Sequence, residues 1–252
     1  MASSSASERA EGNPELRKRR GETVVLTFTQ QGWGNWSNAL VIIILMAMVG
    51  ITGPKSEPIN GDDAMKVWRS QFGIGAFIVF CLLIYRFTKL EESKVWEAER
   101  KGVNKELTVE GEKGNTKKLY WVIFKRNWSR LIATAGAWIV NDLAFYGNKL
   151  FQSTFIAILS PDAGLFKQMQ WTLLNSTVAL CGYFAAAFMV DRPWYGRKRM
   201  QMIGFAMMFI LFLMCGIFYN DLTRDSNTIK WFQFLYFFSS FWNQFGPNAT
   251  TW

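Results

Sequence analysis

Three stretches of the chain, NALVIIILMAMVGIT (38–52), FGIGAFIVFCLLIY (72–85) and MIGFAMMFILFLMCGIFY (202–219), are nearly unbroken apolar runs. Three more runs admit scattered amides, hydroxyls and aromatic residues. Together they predict six helices, over 23–52, 67–87, 131–159, 169–190, 200–219 and 231–252. Each approaches the roughly 20 residues that carry a helix across about 30 Å of hydrocarbon. Only helices and closed barrels satisfy their backbone polar groups in lipid, and strand-like alternation is missing from the pattern. The expected fold class is therefore all-α, and the expected partner of its surface is a lipid bilayer.

Between the runs the pattern divides the chain. Residues 1–22 are polar and charged, with no apolar core of a secretory signal. Residues 23–87 hold two predicted spans and 131–252 hold four. The segment between them, 88–130, mixes both signs of charge with few aliphatics and is expected to be a solvated linker with amphipathic helical patches. A hydrophilic loop of this kind commonly joins two transporter halves, and it is equally a linker of the sort any polytopic protein contains.

Charge fixes an orientation. The net charge of +9 could suggest nucleic acid, but the distribution of the 28 basic residues argues otherwise. The segments 9–22, 86–130 and 191–199 carry 21 of them, against five in 53–66, 160–168 and 219–230. The positive-inside rule puts the rich side in the cytoplasm, and the alternation fits six spans with both ends of the chain cytoplasmic. No nucleic-acid partner is expected.

Catalytic and metal chemistry find little footing. The chain contains no histidine, so imidazole is excluded as ligand, base or proton carrier. Cys81, Cys181 and Cys215 lie in apolar runs without disulfide or metal spacing and are expected to be buried small hydrophobes. The GIG at 73–75 reads as a packing feature. No nucleophile–base pair or phosphate-cradling loop is visible, so neither enzyme activity nor a cofactor or metal is expected.

One residue stands out. Asp142, in AWIVNDLAFYGNKLFQ (137–152), is the one carboxylate well inside a predicted span. An aspartate at a helix centre costs about 2.5–3.5 kcal/mol on insertion scales, so its presence is by default a functional signal. Trp138, Asp142 and Tyr146 are spaced i, i+4, i+8 and share one helical stripe, flanked by Asn141 and Asn148. The alternative is an ion pair with Lys149, seven residues on. An acid shielded from water can take up and release a proton, which makes Asp142 a proton-carrier candidate. An indole N–H, a phenol and amides such as Gln31 and Asn248 could donate to a tetrahedral oxyanion; a protonated Asp142 would donate too, and an ionised one would eject the anion. Further amides sit in FTQQGWGNWSNA (28–39) and FWNQFGPNATTW (241–252), where Gly246-Pro247 should break a helix and free carbonyls. The glycines of the first stretch should let helices approach closely.

Two motifs carry a resemblance. GYFAAAFMVDRPWYGRK (182–198) resembles the Asp-Arg-x-Gly-Arg-Lys loop of the major facilitator superfamily between its eighth and ninth helices, with Pro193, Trp194 and Tyr195 where one residue is usual. NDLAFYGNKLFQ with FGPNATTW is similar to the proton-coupled inorganic phosphate transporters of fungi, plants and algae. That resemblance implies phosphate contact for Gln31, Trp138, Asp142, Tyr146 and Asn248, with Asp142 also exchanging a proton. It implies a cytoplasmic gate at Gly182, Asp191, Arg192, Gly196, Arg197 and Lys198. Gln244 departs from the family's more common Asn. The stretch 2–11, with Ser7 and Glu8, resembles the end of the family's fourth helix, so the chain is expected to supply helices five to ten of twelve: a partial major facilitator fold whose partners are inorganic phosphate, protons and the missing helices. The expected location is the plasma membrane. A sugar or organophosphate porter, which should show an added basic group beside a tyrosine, and a non-transporting scaffold or regulatory fragment are the competing readings.

Overall fold

A computed structural model of the chain describes residues 6, 14–53, 59–89, 116–159, 163–225 and 227–250. Its six long elements are all helices: α1 (Arg20–Met48), α2 (Gly61–Lys89), α3 (Thr116–Leu159), α4 (Leu165–Met189), α5 (Gly196–Ile217) and α6 (Thr228–Phe245). A short helix, α7 (Pro247–Thr250), follows α6. Three of them, α2, α4 and α5, are long and apolar enough to cross a membrane. The other three dilute their apolar surface with amides, hydroxyls and charges. The chain is an all-α integral membrane protein.

The predicted helices sit where the apolar runs put them, with one difference. Residues 116–130, assigned above to the linker, are helical, and α3 continues through them to Leu159. Lys125, Arg126 and Arg130 are exposed on this part of α3, and a solvated helix holds such charges as readily as a loop does. Most of the linker, 90–115, and the Ser7–Glu8 pair lie outside the described residues.

The chain forms two compact units, residues 1–77 with 141–252, and residues 78–140. The second comprises the end of α2 and the start of α3, where Trp121 and Phe124 stack with centroids 5.9 Å apart. In the first, α1, α4, α5, α6 and α7 pack together. Between lipid-immersed helices there is little hydrophobic drive to associate, so close approach through small residues does the work. On α1, Val25, Gly32, Ala39 and Met46 are buried at seven-residue intervals and form a seam. Gly32 admits the Leu180 and Tyr183 side chains of α4, and a Cβ there would sit 2.8 Å from Tyr183. At Gly182, α4 meets the Phe241 carbonyl of α6. Gly204 of α5 lies against Gly246 and Pro247, where a Cβ would come within 2.6 Å of either. Val25, Ala186, Ala187, Val190, Met200, Phe245 and Ala249 form the core that ties these helices together.

Some packing expectations need correction. Gly34, Gly73 and Gly75 have no neighbour at the Cβ position, so they admit no partner helix among the described residues. Cys81 and Cys181 are on outward faces and Cys215 is half-buried, because an apolar run in lipid need not point inward. The helix break at Gly246-Pro247 does occur. Proline has no N–H for the α6 ladder and starts a new helix instead. The Gly246 carbonyl is not left free, however; the Thr250 hydroxyl donates to it at 2.7 Å.

Candidate functional site

The helix break places Asn248 against α1 and α4. Its side-chain amide donates to Gln244 Oε1 at 2.6 Å and to the Tyr183 hydroxyl at 2.7 Å, with a longer contact to Gln31 Oε1 at 3.4 Å. The Tyr183 hydroxyl in turn donates to Gln31 Oε1 at 3.0 Å. Four side chains from α1, α4, α6 and α7 thus close a polar knot inside the first unit. Tyr183 is 1% exposed, and Gln244 and Asn248 are nearly as buried. Two of the five predicted ligands, Gln31 and Asn248, are thereby brought together. Gln31 enters the knot only through its acceptor Oε1, while the Asn248 amide is spent as donor to its neighbours, so an anion would have to compete with those bonds for Asn248.

Trp138, Asp142 and Tyr146 lie on the uninterrupted α3, so their spacing is helical as expected. Trp138 belongs to the second compact unit, Asp142 and Tyr146 to the first. Asp142 is half-buried, and the deeply buried polar group of that turn is its neighbour Asn141, at 1% exposure. Asp142 makes no hydrogen bond or ion pair among the described residues. The lysine that could have neutralised it is occupied: Lys149 Nζ donates to Asn35 Oδ1 of α1 at 2.7 Å and lies 5.5 Å from the Phe145 ring centroid. Tyr146 is half-exposed and packs edge-on against Phe145.

Above the knot a cavity of about 70 Å³ opens between α1, α3, α4 and α6. Tyr183 and Gln244 form part of its wall, together with Asn35, Lys149, Asn175 and Asn243. Neither Asp142 nor Tyr146 lines it. Tyr236 helps hold α3 in place: its hydroxyl donates to the Asn148 carbonyl at 3.3 Å, and its ring lies 5.1 Å from Phe155. On α1, Trp36 Nε1 donates to the Thr177 hydroxyl of α4 at 3.1 Å.

The predicted gate residues divide into two places. Gly182 is mid-helix, at the α4–α6 crossing. Asp191 is at the far end of α4, where its carboxylate accepts the Glu22 N–H at 2.8 Å and lies 3.5 Å from Arg197 Nη2. An anion beside the first turn of α1 also meets the positive end of that helix's dipole. Gly21 leaves room for the Asp191 carboxylate to approach. Gly196 has φ +73°, which turns the chain into α5. Arg192 Nε donates to the Phe188 carbonyl at 3.3 Å, which folds this side chain back onto α4. Lys198 is exposed.

No family model matches the chain. Individual proteins do. It is 28% identical over 270 residues to the probable inorganic phosphate transporter 1-6 of Arabidopsis thaliana, with 93% of this chain and 52% of the relative covered. It is 25% identical over 282 residues to the inorganic phosphate transporter PHO84 of Saccharomyces cerevisiae, covering 93% and 47%. The chain is similar to inorganic phosphate transporters of plants and fungi. It is also 27% identical over 223 residues to glycerophosphoinositol permease 1 of Candida albicans, covering 87% and 38%. The chain spans about half the length of the curated relatives it matches. Named transporters and permeases are not enzymes, in line with the sequence.

Sequence reasoning passed over Tyr183, the centre of the knot. The signal was present in CGYFAAAF: a lone phenol two residues before an alanine run, on a span whose small residues mark a packed face.

Proposed function

We propose that the chain is part of a carrier that moves inorganic phosphate together with protons across the plasma membrane. It would supply helices five to ten of a twelve-helix major facilitator plan, with both of its ends in the cytoplasm. The observation that carries this reading is that Asp142 has no ion pair among the described residues, while the lysine two turns away donates to Asn35. An acid with no fixed counter-ion is free to alternate between donating to an oxyanion and repelling it. Trp138 and Tyr146 are the donors beside it on the same stripe. Asn248 is a donor that becomes available when the knot opens, and Gln31, engaged in the knot through its oxygen only, adds its amide N–H groups. Asp191 and Arg197 hold the ends of α4 and α5 against the start of α1, the contact through which a cytoplasmic gate would act.

A second reading has support from Lys149. An organic phosphate ester needs a basic group near a tyrosine, and Lys149 shares its cavity with Tyr183 and Tyr236. Uptake of radiolabelled inorganic phosphate, with and without an imposed pH gradient, tests the first reading in cells expressing the chain. Uptake should follow the gradient and disappear in Asp142→Asn. Gradient-independent uptake, or uptake that survives this substitution, removes the coupling role. Uptake blocked by glycerophosphodiesters in preference to phosphate would select the second reading.

A further inference from the structure

One end of the first unit carries a charge that its own carboxylates do not balance. Glu22 and Asp191 are 169 positions apart, yet the Glu22 N–H bonded to the Asp191 carboxylate sets residues 14–22 beside residues 191–199. Together these segments hold eight basic residues against three carboxylates. Two of the three are committed within the contact. Glu22 takes the Arg19 guanidinium at 2.6 and 2.8 Å, and Asp191 takes Arg197 as well as the Glu22 N–H. The third, Glu15, stands on the exposed turn Pro14–Arg17. Arg192, Lys198 and Arg199 are exposed and enter no ion pair among the described residues. Nor do the cations at the start of α5 stabilise that helix: a helix start favours anions, and its first turn holds no acid.

The surface around these cations says what would meet them. The Tyr195 and Gly196 N–H groups both donate to the Arg192 carbonyl, at 3.1 and 3.2 Å, so the chain reverses and brings Arg192 beside the first turn of α5. Arg199 Nη1 donates to the Trp194 carbonyl at 2.7 Å, which holds this cation against the turn. The Trp194 indole is 63% exposed but has a fixed seat. It packs edge-on to Tyr195 at 5.4 Å, and Tyr195 lies 6.0 Å from Phe245 of the core. Just inside the turn the helix surface is apolar, with Phe188 of α4 and Met202 of α5 both exposed. An indole between cations and an apolar helix surface marks a bilayer interface. A soluble polyanion would answer the cations and leave the indole and the apolar rim uncovered. An anionic phospholipid covers both, its phosphate against the guanidinium groups and its acyl chains along the helices. We propose that the α4–α5 turn, with the start of α1 beside it, is a docking site for an anionic phospholipid. Arg192, Lys198 and Arg199 hold the headgroup, and Trp194 packs against the glycerol backbone. Arg17 and Lys18, exposed just before α1, extend the positive field. The site stands whether or not the chain moves phosphate.

Native mass spectrometry of the purified 252-residue chain in neutral detergent tests the site, with dioctanoyl phosphatidylserine and dioctanoyl phosphatidylcholine as separate probes. Saturable binding of phosphatidylserine is expected, about tenfold or more tighter than that of phosphatidylcholine. Each cation beside an anionic lipid contributes about fivefold in affinity, so Arg192→Gln, Lys198→Gln and Arg199→Gln together should weaken binding on the order of a hundredfold. Removing as many charges from the exposed start of α3, with Lys125→Gln, Arg126→Gln and Arg130→Gln, should leave it unchanged, which separates a site from net charge. Trp194→Ala should weaken both lipids severalfold, and Trp194→Phe by less. Glycerophosphoserine, the same headgroup without acyl chains, should not displace the lipid. Thermal unfolding without added lipid shows which variants are folded; if the triple turn variant is not, Lys198→Gln alone should still lower affinity about fivefold. The proposal is overturned if the folded turn variants bind phosphatidylserine like the parent, or if the α3 variant loses as much as they do. It is also overturned if Trp194→Ala changes nothing, if phosphatidylcholine binds equally well, or if no saturable binding occurs. Displacement by glycerophosphoserine would overturn it too, since the turn would then be a site for soluble phosphate esters.

Discussion

Replacing Tyr183 by phenylalanine removes one oxygen from the centre of the four-residue knot and changes little else. The ring keeps its place against Gly32, since its shape is unchanged. Two hydrogen bonds go: the one from Asn248 at 2.7 Å and the one to Gln31 at 3.0 Å. Neither partner is left wholly orphaned, because Asn248 still reaches Gln244 at 2.6 Å and Gln31 at 3.4 Å. The desolvation penalty of a stranded group therefore does not apply in full. For hydrogen bonds between membrane helices, a mean near ~0.6 kcal/mol each is the appropriate scale, so two give about 1 kcal/mol. A figure above ~3 kcal/mol would require an unsatisfied buried donor, which the geometry does not produce. The assay is reversible unfolding of the detergent-solubilised chain, run as a double-mutant cycle with Gln31→Leu. Both single variants should destabilise, and the pair should couple by about 0.6–1.7 kcal/mol. Strict additivity would mean that Tyr183 and Gln31 do not bond, and the knot would have to be abandoned as a structural unit.

Other substitutions probe the neighbouring contacts. Gly182→Ala drives a methyl into the Phe241 carbonyl and should cost about 1–3 kcal/mol, read as a lowered unfolding midpoint. Gly34→Ala, with open space at the same position, should be neutral or stabilise by up to about 1 kcal/mol, and equal losses at the two sites would refute the packing described for α4 and α6. Asp191→Asn keeps an acceptor for the Glu22 N–H but loses the ion pair and the charge at the start of α1. Arg197 is 49% exposed, so the pair itself is screened and the total should be only about 0.5–1.5 kcal/mol, diminishing in high salt. A salt-independent loss would assign Asp191 to packing instead.

Much of the architecture was readable from residue order. Apolar runs near bilayer length located all six helices, because lipid forces a long apolar stretch to close its backbone bonds on itself. Gly246-Pro247 announced a helix break for an equally local reason, a missing N–H. The i, i+4, i+8 spacing of Trp138, Asp142 and Tyr146 needed only the helical period. Where α3 begins was less legible, since charges at 116–130 suit a loop and a solvated helix alike. The glycines were harder still: Gly32 and Gly34 look equivalent in the sequence, yet among the described residues only Gly32 of the two meets a neighbouring helix.

What residue order determined by itself was the set of helices and the place of one acid, Asp142, in a helical run where apolar residues are the rule. Tertiary structure alone decided which polar side chains are spent on one another. It joined Gln31 to Tyr183 and Asn248, residues 152 and 217 positions away along the chain. It also gave Lys149 to Asn35 rather than to Asp142. The physical reason is that a hydrogen bond is satisfied by whichever partner packing brings within about 3 Å, and helical periodicity fixes neighbours on one helix only, never the helix that lies against it.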